Sequence, residues 1–114
     1  MIWLICGGRD FANGELFAST MARLVAERGK PSHVIHGAAR GADSFADLWA
    51  HSNRVRVTPF PANWRENGRA AGAIRNAQMA ALRPDLVIAF PGGRGTADMM
   101  ARAEAAGLEV VRIT

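Results

Sequence analysis

The stretch "VIAFPGGRGTADMM", residues 87–100, is the clearest indication of the fold in this sequence. An apolar run ends at Pro91, three glycines follow (Gly92, Gly93 and Gly95), and a helical pattern then begins. A buried strand that passes through a glycine-rich turn into a helix is the repeating unit of open parallel α/β sheets. The glycines either allow a tight turn with positive φ or let the backbone approach a ligand closely.

The same order of strand, turn and helix recurs along the whole chain. Apolar runs predict strands at "MIWLIC" (1–6), "HVIH" (33–36), "VRVTPF" (55–60), "DLVIAF" (85–90) and "EVVRI" (109–113). Helical periodicity predicts helices over 13–28, 41–52, 69–82 and 96–106. Residues 61–68, "PANWRENG", read as a loop. For the helix over 69–82 the pattern predicts a core stripe of Ala70, Ile74, Ala77 and Ala81, and Thr96 is the expected N-cap of the last helix.

This alternation predicts a single α/β domain over residues 1–114. We expect a Rossmann-like, doubly wound, five-stranded parallel sheet of order 3-2-1-4-5, with helices on both faces. In that order the chain reverses direction between the first and fourth strands. Ligands of such sheets bind at that point, outside the carboxyl ends of the strands.

The composition argues against a disulfide-bonded, a metal-binding or a membrane-spanning protein. The chain has 114 residues, a net charge of +4 and one cysteine, Cys6, so an internal disulfide is excluded. The three histidines show no metal-ligand spacing, and we expect neither a metal nor a cofactor. No segment has the roughly 18 to 20 apolar residues of a membrane span. We therefore expect a cytoplasmic protein without a membrane partner.

Glycine-rich loops follow the first, second and fourth predicted strands, and all three fall on one edge of the sheet. Helix N-termini at this edge favour a bound anion, so the loops predict a phosphate site. The candidate ligand residues in these loops are Gly7, Gly8, Arg9 and Asp10, then Gly37, Arg40, Gly41 and Asp43, and finally Pro91, Gly92, Gly93, Arg94, Gly95 and Thr96. Arg9 would neutralise the phosphate, and Asp43 or Asp10 would accept hydrogen bonds from ribose hydroxyls.

Each candidate also has a purely structural interpretation. Arg9 and Asp10 could pair with each other, and Asp98 could pair with Arg102 one helical turn later. Trp64 either packs over the third long helix or stacks on a base. No loop alone is a known signature, because G-x-x-x-x-G-K-[ST] is absent and "GGRGTAD" lacks the third small residue of the dinucleotide fingerprint.

Taken together, "GGRDF", "HGAARGAD", "AGAIRNAQM" and "AFPGGRGTADM" resemble the YspA-like (cpYpsA-related) branch of the SLOG superfamily across nearly the whole chain. The resemblance implies a Rossmann-like fold and a nucleotide or nucleotide-derived ligand. The superfamily includes the LOG phosphoribohydrolases, which cleave the N-glycosidic bond of cytokinin nucleoside monophosphates, and the DNA-binding core of the DprA proteins. The LOG relatives also point to a homodimer.

The LOG enzymes carry a PGGxGTxxE loop and an MHxRKxxM helix segment. In this chain the phosphate loop is retained, Arg75 falls on the arginine, and Asn76 falls on the lysine. Met99 stands where the catalytic glutamate would be, with Asp98 one position earlier. A shift of one residue turns a helical side chain by about 100°.

The resemblance therefore leaves three functions open. Ligand binding by a small nucleotide-binding domain is favoured, and its role would be to sense, sequester or process a nucleotide derivative. The alternative is a nucleoside monophosphate N-glycosidase in which Arg75 orients the substrate and Asp98 supplies the carboxylate. Binding of single-stranded nucleic acid is the weaker alternative, because the sequence offers no series of aromatic residues for base stacking.

Overall fold

The sheet contains the five strands that the sequence predicts. The computed structural model describes residues 1–114. Its strands are β1 (Ile2–Cys6), β2 (His33–His36), β3 (Arg56–Pro59), β4 (Leu86–Ala89) and β5 (Val110–Arg112). All neighbouring strands are parallel, in the order β3-β2-β1-β4-β5. The predicted Rossmann-like α/β fold of order 3-2-1-4-5 is therefore confirmed.

Five helices connect the strands. They are α1 (Gly14–Arg28), α2 (Ala42–Ser52), α3 (Trp64–Asn67), α4 (Ala71–Ala81) and α5 (Arg94–Ala105). A 3₁₀ turn, Gly68–Ala70, leads into α4. None of the helices has the length and apolar character that crossing a membrane requires.

The helices cover both faces of the sheet, as expected. Because side chains alternate along a strand, Trp3 and Ile5 of β1 face α1 and α2, while Leu4 and Cys6 pack with residues of α4 and α5. Leu4 and Ile5 are completely buried, and each such side chain contributes about 1.5–3 kcal/mol relative to an exposed one. With both faces covered, the carboxyl edge of the sheet is where loops and helix N-termini can form a site.

The prediction of a loop over 61–68 is wrong, because α3 lies inside it. The Asn63 side chain accepts a hydrogen bond from the Glu66 backbone amide at 3.1 Å and donates one to the Glu66 carboxylate at 3.0 Å. Asn63 is therefore the N-cap of α3, and its side chain bonds to both the backbone and the side chain of Glu66. The signal is present in "NWRE", but four residues are too few to show helical periodicity.

The predicted core stripe of α4 is also wrong. Its buried residues are Ala71, Asn76, Met79 and Ala80, whereas Ala70 and Ala81 are exposed and Ile74 is 40% exposed. The helix is rotated because Asn76 points inward, where hydrogen bonds satisfy its amide. An apolar pattern does not predict a satisfied polar residue in the core.

Helix α5 starts two residues earlier than predicted, and its N-cap is Gly93 rather than Thr96. The Ala97 amide donates to the Gly93 carbonyl at 3.0 Å, which closes the first turn. Thr96 therefore lies within the first turn and is 6% exposed. No side chain caps this N-terminus, so no side chain accepts a hydrogen bond from its first backbone amides.

Candidate functional site

A cavity of about 760 Å³ opens at the carboxyl edge of the sheet. It lies beside β1 and β4, where the chain reverses direction, and its volume is typical of a small-molecule site. Most of the candidate ligand residues line it. They are residues 7–10, Gly37, Asp43, Arg75, Asn76 and residues 91–96.

Three sequence candidates, Arg40, Gly41 and Asp98, do not line the cavity. The Arg40 side chain is exposed elsewhere on the second loop. Gly41 has a φ of 73°, and a Cβ there would lie 2.1 Å from the Gly8 carbonyl oxygen. This glycine is therefore required for the close approach of α2 to the first loop.

Gly8 joins the loops that follow the first, second and fourth strands. Its amide donates to the Pro91 carbonyl at 2.9 Å, and its carbonyl accepts a hydrogen bond from the Ala42 amide at 3.3 Å. The N-termini of α2 and α5 consequently meet on either side of one glycine. Two helix dipoles place their positive ends at the cavity.

Positive φ does not explain the glycines after β4, because none of Gly92, Gly93 and Gly95 has it. A Cβ on Gly92 would lie 2.2 Å from Thr96 Oγ1 and 2.6 Å from the Gly8 amide nitrogen, so packing requires that glycine. A Cβ on Gly93 or Gly95 would meet no heavy atom within 4 Å. No contact inside the protein therefore requires glycine at these two positions.

The first turn of α5 presents three backbone amides without a protein acceptor. They belong to Arg94, Gly95 and Thr96, which precede the first hydrogen-bonded amide of the helix, that of Ala97. All three residues line the cavity. This turn is chemically suited to an anion.

Arg9 and Trp64 lie together on the lining of the cavity. The guanidinium carbon of Arg9 is 5.6 Å from the centroid of the Trp64 ring, which is a cation–π contact. Arg9 forms no ion pair with Asp10, so the predicted local pair is absent. Trp64 is 49% exposed, and its ring lies against Gly72 of α4.

Arg75 and Asn76 connect α4 to the loops. Arg75 Nη1 donates to the carbonyls of Gly37 and Phe60, the latter at 3.3 Å, and Arg75 Nε donates to Asn76 Oδ1 at 2.9 Å. Asn76 Nδ2 donates to the Gly95 carbonyl at 3.1 Å. Burial lowers the pKa of Arg75 from its usual value, an effect that the nearby carboxylate of Asp43 opposes. Arg75 thus stabilises the second loop through the Gly37 carbonyl, and its positive charge lies on the lining of the cavity.

The Asp98 carboxylate faces α4 and its own helix. Its Oδ2 accepts hydrogen bonds from Arg102 Nε at 2.8 Å and from Asn76 Nδ2 at 3.0 Å, so the predicted pair with Arg102 is present. Burial raises the pKa of Asp98, but the bonds from Arg102 and Asn76 together outweigh it, and the pKa is lowered. The following residue, Met99, lines the cavity instead and is 1% exposed.

Asp43 is the buried carboxylate of the site, with 5% of the residue exposed. Its Oδ2 accepts a hydrogen bond from the Ala39 amide at 3.2 Å, whereas Oδ1 is buried without any partner. Burial raises the pKa of this carboxyl group. It forms no ion pair.

Six further residues of the lining were not predicted from the sequence. They are Cys6, Phe11, Ala39, Gly72, Met79 and Met99. Most are apolar or small; all except Cys6 lie within the four motifs that carry the resemblance, and Cys6 ends β1 beside the first of them. Burial, with a contribution from Asp43, raises the pKa of the Cys6 thiol to about 12. The structure holds no group of three or more His, Cys, Asp or Glu residues that could bind a metal ion.

Comparisons with known proteins agree with the resemblance seen in the motifs. The model of the YspA, cpYpsA-related SLOG family (YAcAr) matches residues 1–66. A protein of Mycobacterium phage D29 called Gene 61 protein is 44% identical to this chain over 85 residues, which is 68% of this chain and 68% of that protein. No solved structure matches the chain significantly.

Proposed function

The chain belongs to the YspA, cpYpsA-related SLOG family, and on that premise we propose that it binds a nucleotide or nucleotide-derived ligand. The phosphate rests on the N-terminus of α5, at Gly93–Thr96. The sugar and base extend across Gly8 toward Arg75, Asp43 and Trp64.

The observation that carries this proposal is the first turn of α5. Three adjacent amides lack a protein acceptor, and they stand at the positive end of the helix dipole. Gly93 and Gly95 leave the approach to these amides clear, although neither packing nor positive φ requires glycine there. A phosphate bound to these amides would account for glycine at both positions.

Positive side chains support the same placement. Arg9 and Arg94 are exposed residues of the cavity lining, and Arg75 is half-buried beneath the second loop. The guanidinium group matches phosphate geometry through paired donors. The two exposed arginines would contact a ligand first, and Arg75 would add charge from below.

The geometry favours binding over hydrolysis. In the alternative function, Asp98 would supply the carboxylate, but this group is engaged by Arg102 and Asn76 and lies outside the cavity lining. Single-stranded nucleic acid is disfavoured as well, since Trp64 is the one largely exposed aromatic ring rather than part of a stacking series.

Calorimetric titration with nucleoside mono-, di- and triphosphates and with the unphosphorylated nucleosides tests the proposal. We expect phosphorylated compounds to bind and nucleosides to bind at least tenfold more weakly, because a hydrogen bond to a charged group contributes about 1.5–3 kcal/mol. Arg94→Gln should weaken nucleotide binding by about tenfold. Arg23→Gln, on the outer face of α1, should leave it unchanged.

Equal affinity for a nucleoside and its phosphate would contradict the placement of the phosphate. Equal losses in the Arg94 and Arg23 variants would show only a general charge effect. If chromatography detects free base released from a nucleoside monophosphate, the protein is instead a nucleoside monophosphate N-glycosidase.

A further inference from the structure

The Asp43 carboxylate lacks a partner that it should have. Buried carboxylate oxygens almost always accept hydrogen bonds, yet Oδ1 of Asp43 has none and the residue is 5% exposed. The hydrogen bond from the Ala39 amide, at 3.2 Å, reaches the other oxygen, and the backbone amide of Gly37 also acts on this carboxylate and lowers its pKa. No arginine, lysine or histidine forms an ion pair with it.

This arrangement works against folding. A buried polar group without a partner destabilises the folded state, and a charged group does so more strongly. An asparagine would keep the acceptor for the Ala39 amide and would remove the charge. Asp43 is therefore better explained by an interaction with a ligand than by packing, since functional sites often retain groups that destabilise the fold.

The surroundings limit what Asp43 can bind. A carboxylate is a hydrogen-bond acceptor, so its partner must carry a donor. A metal ion is disfavoured because no group of three ligating side chains surrounds it and because the guanidinium of Arg75 lies nearby. The fitting partner is a neutral group with hydroxyl donors.

The contacts of Gly8 place that partner next to the phosphate. The Gly8 backbone contacts the loop before α5 through Pro91 and the start of α2 through Ala42. Asp43 on α2 and the free amides of α5 thus lie on opposite sides of one residue, and both line the same cavity. In a nucleotide, the group attached directly to the phosphate is the sugar.

We propose that Asp43 binds the ribose hydroxyls of the ligand through Oδ1, so that the protein selects ribonucleotides over 2′- or 3′-deoxyribonucleotides. The proposal rests on the function proposed above and specifies its ligand class. The Ala39 amide fixes the carboxylate through Oδ2, which leaves Oδ1 directed to the sugar. Arg75, which is held by Gly37 on the same loop, keeps the local charge balanced.

The test compares AMP with 2′-deoxy-AMP and 3′-deoxy-AMP by calorimetric titration of the full chain. The wild-type protein should bind AMP about 10- to 100-fold more tightly than at least one deoxynucleotide, because the missing hydroxyl removes one hydrogen bond to a charged group. In Asp43→Asn this preference should fall to about threefold or less, while affinity for the discriminated deoxynucleotide is retained. Thermal unfolding of Asp43→Asn should show a melting temperature equal to or above that of the wild type.

Asp10→Asn is the matched control, because it removes the same charge from the same cavity lining. It should change the affinities for AMP and for the deoxynucleotides by one common factor and keep their ratio. Wild-type protein that binds all three equally, or an Asp43→Asn protein that keeps the preference, would overturn the assignment. Failure of every phosphorylated compound to bind would instead overturn the proposed function, so the two failures are distinguishable.

Discussion

Alanine substitutions of the glycines after β4 can distinguish a glycine that packing requires from one that ligand binding requires. Substituting Gly92 and Gly95 in turn by alanine should change stability in opposite directions. A Cβ on Gly92 would lie 2.6 Å from the Gly8 backbone nitrogen, which cannot rotate away, and 2.2 Å from Thr96 Oγ1. A Cβ on Gly95 would meet no atom within 4 Å, in a residue that is already helical.

The expected magnitudes follow from these distances. Gly92→Ala overpacks a rigid contact and should lower the free energy of unfolding by about 1–3 kcal/mol. Gly95→Ala should raise it by up to about 1 kcal/mol, because alanine favours the helix over glycine. For a domain of this size, 1 kcal/mol corresponds to a change in melting temperature of roughly 4 °C or more. The two variants should therefore melt on opposite sides of the wild type.

Binding should separate the variants in a different way. Gly95→Ala places a methyl group on the approach to the free amides, so nucleotide affinity should fall by about tenfold or more although the protein is at least as stable. Gly14→Ala, in the first turn of α1, is the matched control: its Cβ would lie 3.4 Å from the Phe45 ring, and it is outside the cavity. Destabilisation of both the Gly92 and Gly95 variants would contradict their separate roles, and unchanged affinity in Gly95→Ala would contradict a ligand at the free amides.

Three further predictions concern single side chains. Trp64→Ala should weaken binding of an aromatic nucleotide by about 1–3 kcal/mol, the usual value of base stacking, and should leave the affinity for ribose 5-phosphate unchanged in the same titration. Because the folded state lowers the pKa of Asp98, its contribution to stability is fully present above the pKa of an unfolded aspartate and is lost as the pH falls through the lower folded value. Urea unfolding from about pH 6 to pH 3 should thus show a shallower acid loss in Asp98→Asn, and an unchanged slope would contradict the assigned bonds. Cys6, with a pKa of about 12, should react with a thiol reagent at neutral pH only after unfolding, and rapid labelling of the native protein would contradict its burial.

The fold was predictable because periodicity and glycine placement agree. Each strand is a short apolar run that ends at a turn residue, and parallel strands buried on both faces read in this way. The order 3-2-1-4-5 followed from the alternation of strands and helices and is confirmed. Convergence of the three glycine loops followed from it, since the carboxyl ends of parallel strands share one edge.

What the sequence did not predict depends on tertiary contacts. The inward rotation of α4 requires the hydrogen bonds of Asn76 to Gly95 and Asp98, which belong to another helix. The separate roles of Gly92 and Gly95 depend on distances to Gly8 and Thr96. Similarly, the sequence made Asp43 and Asp10 equal candidates for the ribose contact. Only the structure shows that Asp43 is buried and Asp10 is exposed.

Amide NMR during a nucleotide titration tests directly whether a phosphate binds at the N-terminus of α5. We expect the backbone amides of Arg94, Gly95 and Thr96 to show the largest chemical-shift changes with AMP, and adenosine to leave them nearly unchanged. If AMP binds but perturbs these three amides no more than the rest of the chain, the phosphate does not bind there.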